Sequence, residues 1–172
     1  MNNTHTKLQT ACFSGYRPEK LPWRDDETDA RCRELKRRIF HIVEALYEAG
    51  YRRFICGMAR GSDTFFCEAV LTLRETHSDV FLEAAIPCQT QANAWTAAQR
   101  ARYYDLLAQC DAETYISREY TRDCMMRRNR YMVDCSGVIV TVFDGSRGGT
   151  MATRNYAAKQ GLDVIEVMPL LE

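Results

Sequence analysis

The sequence predicts an α/β fold built as a doubly wound, mostly parallel sheet with helices on both faces. Three observations carry that prediction. Strand-like and helix-like segments alternate along the whole chain. Several of the strands, Gly137-Val138-Ile139-Val140-Thr141-Val142-Phe143 above all, are continuous apolar runs, as expected of strands covered on both faces. Three of the turns from strand to helix are rich in glycine, as loops at the carboxyl edge of such a sheet tend to be.

Taken in order, Thr10-Ala11-Cys12-Phe13 reads as a first strand ending at Ser14-Gly15. The loop Gly15–Trp23 holds Pro18 and Pro22 and is expected to be irregular. Between about Asp26 and Ala49, Leu35, Ile39, Ile42, Val43 and Leu46 recur at helical spacing, with Asp25, Asp26, Glu27 and Asp29 at the amino end and Gly50 as the stop. Arg52–Cys56 is a second strand and Ser62–Glu75 a helix with Phe66, Ala69, Val70 and Leu73 on one face. Val80–Ile86 is a third strand, expected to halt at Pro87, and Gln91–Gln109 a helical stretch. Ala112–Ser117 is a strand, Asp123–Asp134 a helix, and 137–143 a strand. Thr150–Gln160 is a helix closed by Gly161, and Leu162–Val167 a last strand.

The chain has 172 residues, which fits one domain over 1–172 with its motifs between about 10 and 169. Hydrophobic residues make up 46% and charged residues 27%, enough apolar material for a core. The formal net charge is +0, from 23 cations and 23 anions, which argues against a generally basic nucleic-acid coat protein. The balance is uneven, however. Residues 118–154 carry seven cations, all Arg, against four anions. Nineteen of the 23 cations are Arg, a preference that suits phosphate and carboxylate recognition and that genomic composition bias matches equally well. Eight cysteines form no CxxC or zinc-like spacing, so a metal site is not expected. The polar start Met1–Lys7, the lack of an apolar run near ~18 residues and the expectation of reduced thiols point to a cytoplasmic protein away from membranes.

The three glycine-rich junctions are Ser14-Gly15-Tyr16-Arg17-Pro18, Gly57-Met58-Ala59-Arg60-Gly61-Ser62-Asp63 and Asp144-Gly145-Ser146-Arg147-Gly148-Gly149-Thr150. Each joins backbone N–H groups at a helix start to a hydroxyl (Ser14, Ser62 or Thr150) and an arginine (Arg17, Arg60 or Arg147), a combination suited to phosphate. None contains GxxxxGK[ST] or GxGxxG, so neither a Walker ATPase nor a standard dehydrogenase is indicated.

Together with Pro87, Gln91, Trp95, the run Arg128-Asn129-Arg130-Tyr131-Met132-Val133-Asp134 and Gly148-Gly149-Thr150, these motifs resemble the YpsA-like branch of the SLOG superfamily, in that family's order and over nearly the whole chain. The resemblance implies a Rossmann-like sheet, kinship with DprA and LOG-type proteins, and a nucleotide or nucleotide-derived ligand, without fixing a reaction or requiring a cofactor. LOG phosphoribohydrolases pair a helix Arg, four residues before a Met, with a Glu in PGGxGTxxE. Here Arg128 and Met132 match and Gly149-Thr150 matches, but Thr153 stands at the Glu position. N-glycosidic cleavage needs a carboxylate by the sugar, so Asp63 or Asp134 would have to supply it.

The leading expectation is a binding or sensor protein for a small phosphorylated, nucleotide-derived ligand. Its phosphate is expected on the Gly57–Asp63 and Gly148–Thr150 loops, with Arg128 and Arg60 as charge partners and Ser14, Gly15, Arg17, Gly61 and Ser62 close by. An N-glycosidase with a substituted carboxylate is the alternative. A single-strand nucleic-acid binder is third, disfavoured by the neutral charge. Asp63 fits either a helix-dipole role or a ribose hydroxyl contact. Arg127 and Arg130 are expected on a solvated face, Trp95 in the core or at a pocket rim, and Tyr16 and Tyr131 are candidate stacking partners for a base. Homo-oligomerisation is open. His5, His41 and His77 fall outside every motif.

Overall fold

A computed structural model describes residues 5–170; the expected extent 1–172 and the polar start at Met1 reach outside the described residues. Six parallel strands form one sheet in the order β4-β3-β2-β1-β5-β6. The strands are β1 (Thr10–Gly15), β2 (Arg53–Cys56), β3 (Phe81–Cys88), β4 (Ala112–Ser117), β5 (Val138–Val142) and β6 (Asp163–Val167). Five helices alternate with them: α1 (Ala30–Glu48), α2 (Ser62–Arg74), α3 (Ala97–Gln109), α4 (Cys124–Asp134) and α5 (Gly149–Lys159).

Strand alternation divides the core in two. Ala11, Phe13, Phe54, Cys56, Leu82, Ala84, Val138 and Val140 pack with α1, α2 and α3, through Leu35, Ile39, Phe66, Val70 and Leu106. Cys12, Ile55, Ala85 and Ile139 face the other way, onto Met132 and Val133 of α4 and Ala157 of α5. The chain winds outward from β1 to β4 and then crosses to the other side of β1. Gly15 and Val142, the last residues of β1 and β5, lie opposite one another in register. The carboxyl ends of β1 and β5 therefore flank the switch point, the crevice where this architecture receives ligands. The predicted Rossmann-like, doubly wound fold is the one observed.

Several boundaries differ from expectation for local reasons. The loop after β1 contains one short 3-10 turn, Pro18–Lys20. Helix α1 begins at Ala30, where the Asp29 carboxylate accepts from the Arg31 N–H as an N-cap; Asp26 is tied up instead with Thr28. Strand β3 runs through Pro87 to Cys88. The β2 ladder stops at Cys56 opposite Ala84, and β4 pairs with Ile86 and Cys88, so the proline lies where its lost N–H breaks none of these pairings. Helix α3 starts at Ala97 rather than Gln91, because Thr96 and Gln99 close a reciprocal capping box there.

One charged residue is buried in the middle of the sheet. Glu83 of β3 is only 2% exposed. Its Oε2 accepts from Arg53 Nε at 2.8 Å and also from Arg53 Nη2; its Oε1 accepts from Thr114 Oγ1 at 2.9 Å and Tyr131 OH at 2.6 Å. The Tyr131 hydroxyl is thus held by Glu83. All eight cysteines are free thiols. Among the described residues no helix is long and apolar enough to cross a membrane.

Candidate functional site

At the switch point lies a cleft of about 310 Å³. The β1 end and the turn after it contribute Phe13, Ser14, Gly15, Tyr16, Arg17, Glu19 and Lys20. The second glycine loop contributes Ala59 and Asp63, helix α4 contributes Met125, Arg128, Asn129 and Met132, and the start of α5 contributes Gly149 and Thr150. All three predicted junctions therefore meet at one place.

Arg128 forms the floor. It is 4% exposed, yet it makes no ion pair among the described residues. Its Nη1 donates to Gly57 O at 2.5 Å, its Nε to Asn129 Oδ1 at 2.8 Å, and its Nη2 finds only the Met125 sulfur at 3.9 Å. Burial lowers its pKa from the usual guanidinium value, and the nearby Asp63 charge opposes that shift. Asn129 is itself fixed from α5: its Nδ2 donates to Thr153 Oγ1 at 3.0 Å, and the Thr153 hydroxyl donates to Gly149 O at 2.8 Å. Thr153, at the position of the LOG glutamate, thus acts as a brace that orients Arg128 through Asn129.

Asp63 is the second buried charge, 5% exposed. Its Oδ2 accepts from the Ala59 N–H at 3.1 Å, and its other oxygen accepts no hydrogen bond among the described residues. Burial raises its pKa, against the pull of Arg128, the Ala59 N–H and Arg17. Gly57 explains how the two charges are spaced. A methyl group there would lie 2.6 Å from Arg128 Nη1 and 3.0 Å from Asp63 Oδ2, so the charges face each other across a bare glycine. Next to this glycine, Met58 holds φ 59°, a conformation rare for a side-chain-bearing residue and common at ligand-binding turns.

The third loop brings the amino end of α5 to the cleft wall, with the first N–H groups of the helix free of intrahelical partners. Lys20 Nζ sits against it, 2.7 Å from where a Cβ on Gly148 would be. Tyr16, at 4% exposure, is a staple rather than a stacking surface: its hydroxyl donates to Asp144 and lies 2.6 Å from Ser146 Oγ. Asp144 is held down to a pKa of about 2 by the Ser146 and Tyr16 hydrogen bonds.

Other predicted residues go elsewhere. The Ser62 hydroxyl is spent on Tyr16 O at 2.6 Å, which locks the first loop to the second. Gly61, at φ +81°, packs on Tyr16 O and Pro18 and serves that same junction. Arg60 turns out of the cleft: it ion-pairs with Glu19 and lies 5.9 Å from the centre of the Trp95 ring. With Trp95 and Tyr103 it lines a separate pocket of about 60 Å³, and Trp95 packs against the core. Arg147 is exposed and lines no cavity described here. Asp134 sits at the far end of α4, accepts from Tyr156 OH at 2.8 Å, and does not line the cleft. Reasoning from sequence missed Glu19, Lys20, Met125 and Asn129. Asn129 had a signal, being next to Arg128 in the quoted run, whereas Lys20 had none beyond its place in the first loop.

A parallel doubly wound sheet, with a cleft at its switch point floored by buried charge, defines a Rossmann-like α/β protein with a candidate ligand site. A family model described as the YspA SLOG family (YpsA) matches residues 11–164, and the chain belongs to that family. It is 32% identical over 139 residues to the uncharacterized SPbeta prophage-derived protein YoqJ of Bacillus subtilis, covering 73% of this chain and 81% of that one. It is 26% identical over 128 residues to UPF0398 protein BH1768 of Halalkalibacterium halodurans, covering 73% and 68%. Among solved structures, DNA processing protein A (DprA) from Streptococcus pneumoniae superposes with a TM-score of 0.61 at 16% identity. That match covers 93% of this chain but only 50% of DprA, and it establishes a shared fold.

Proposed function

We propose that this protein binds a small nucleotide-derived ligand and holds its phosphate in the switch-point cleft. The observation that carries this reading is Arg128, a guanidinium buried to 4% exposure in the cleft floor with no carboxylate paired to it among the described residues. Burying such a charge is costly unless a counter-charge completes it. A phosphate does so, and the amino end of α5 and Lys20 add positive potential on the same wall. The cleft volume of about 310 Å³ is at the lower end of small-ligand pockets and suits one nucleotide-sized molecule. Family membership and the fold shared with DprA are consistent with a nucleotide-related ligand.

The hydrolytic alternative would rest on Asp63, since Thr153 holds the glutamate position and Asp134 lies away from the cleft. Release of free base from a nucleoside monophosphate would favour it.

Isothermal titration against nucleoside mono-, di- and triphosphates tests the binding reading. Saturable binding that Arg128→Gln weakens at least tenfold is expected. Wild-type protein that binds none of them at millimolar concentration would exclude it.

A further inference from the structure

Asp63 asks for something other than a phosphate. It is a carboxylate 5% exposed on the cleft wall, facing Arg128 across Gly57, and it has one oxygen with no donor among the described residues. A ligand that were only an anion would satisfy Arg128 and repel Asp63. A ligand that satisfies both must carry O–H donors set apart from its anionic group. Inorganic phosphate has its O–H groups on the anion itself. A pentose 5-phosphate has both, because its ring hydroxyls are set back from the phosphate by the length of the sugar.

We infer that Asp63 is the specificity-determining residue of the cleft, accepting hydrogen bonds from the vicinal hydroxyls of a ribose whose phosphate is held by Arg128. The ligand class is thereby narrowed to ribonucleotides and related ribose phosphates, with deoxyribose compounds disfavoured. The inference rests on the phosphate-binding reading above and adds a sugar requirement to it. The Ala59 N–H keeps one carboxylate oxygen fixed, so the other is presented to the ligand in a set direction. Losing one hydroxyl from such a charged acceptor reduces affinity by roughly tenfold.

The test uses base-free probes on the intact chain: inorganic phosphate, ribose 5-phosphate and 2-deoxyribose 5-phosphate, titrated calorimetrically. Wild-type protein is expected to prefer ribose 5-phosphate over its deoxy counterpart by about tenfold. In Asp63→Asn that preference should shrink to within about twofold, while inorganic phosphate binds more tightly, because a negative charge has gone. A purely structural role for Asp63 would weaken all three probes together. Equal binding of the two sugars by wild-type protein, which needs no variant to fold, overturns the ribose assignment while leaving phosphate binding intact. Failure of all three probes to bind overturns the ribose assignment, and the phosphate reading falls as well if the nucleoside phosphates also fail to bind.

Discussion

Two buried charge clusters in this molecule differ in one respect that separates architecture from function. At Glu83 the carboxylate is saturated: Arg53, Thr114 and Tyr131 supply donors from β2, β4 and α4 to both oxygens. At the switch point, Arg128 and Asp63 are buried as deeply, yet Gly57 stands between them and each keeps bonding capacity directed at no protein group. A saturated charge is the ordinary price of a polar residue inside a sheet. An unsaturated opposed pair beside a cleft is the arrangement expected where a ligand completes the network. The lesson is that burial alone does not mark a site; incomplete burial chemistry does.

The contrast breaks most sharply under substitution. Glu83→Ala removes the acceptor for four donors and leaves Arg53 half-buried without its partner. It should destabilise the fold by about 2–4 kcal/mol in chemical denaturation, at the lower side of losses for buried pairs because Arg53 reaches solvent. Its effect on phosphate binding should be within about twofold. Arg128→Met should do the reverse, costing less stability than Glu83→Ala, since it removes one hydrogen bond to Gly57 O and no close ion pair. Phosphate affinity should nevertheless fall by at least tenfold. If both variants lose stability and binding in parallel, the two clusters are not functionally distinct.

Gly57→Ala sharpens the comparison by filling the gap. The added methyl meets Arg128 Nη1 and Cζ and Asp63 Oδ2 inside van der Waals contact, so the guanidinium must shift. A stability loss of about 1–3 kcal/mol is expected, as for other overpacked sites, together with weaker ligand binding. A thermal melt and a titration on the same preparation read both quantities. An alanine variant that binds normally would mean that the spacing of the two charges is not used.

How much of this was legible in the sequence depends on what each signal encodes. The order of strands and helices was readable because buried parallel strands leave apolar runs and helix ends leave caps. Thr96 with Gln99 was such a cap, overlooked in favour of the helix-like composition of 91–95. The three glycine loops were readable as loops, and Arg128 through its spacing from Met132. The direction in which each loop side chain points was not. Ala59 and Asp63 face the cleft whereas Met58 and Arg60 line the neighbouring pocket, a division set by the positive φ of Met58 and by the ion pair of Arg60 with Glu19. Those are tertiary facts that no local spacing contains. Lys20 enters the site only because the Pro18–Lys20 turn carries it across to Gly148.

The smallest expected effect concerns two acids at this same sheet edge that titrate in opposite senses. Asp144 is held down to a pKa of about 2, below the ordinary aspartate value, by its hydrogen bonds with Ser146 and Tyr16. Its contribution to stability is therefore fully present above about pH 4 and is lost as pH falls through about 2. Asp63 is shifted upward by burial, so the folded state takes up its proton more readily than the unfolded chain does, and acid does not cost stability there. Melting temperatures measured from pH 5 to pH 2 should fall less steeply in Asp144→Asn than in wild type, while Asp63→Asn should not flatten the curve in that way. Tyr16→Phe should give an intermediate slope, because it removes one of the two hydroxyls but leaves Ser146. If Asp63→Asn flattened the acid limb as much as Asp144→Asn, Asp63 would be an ordinary stabilising carboxylate, and its difference from a saturated acid such as Glu83 would disappear.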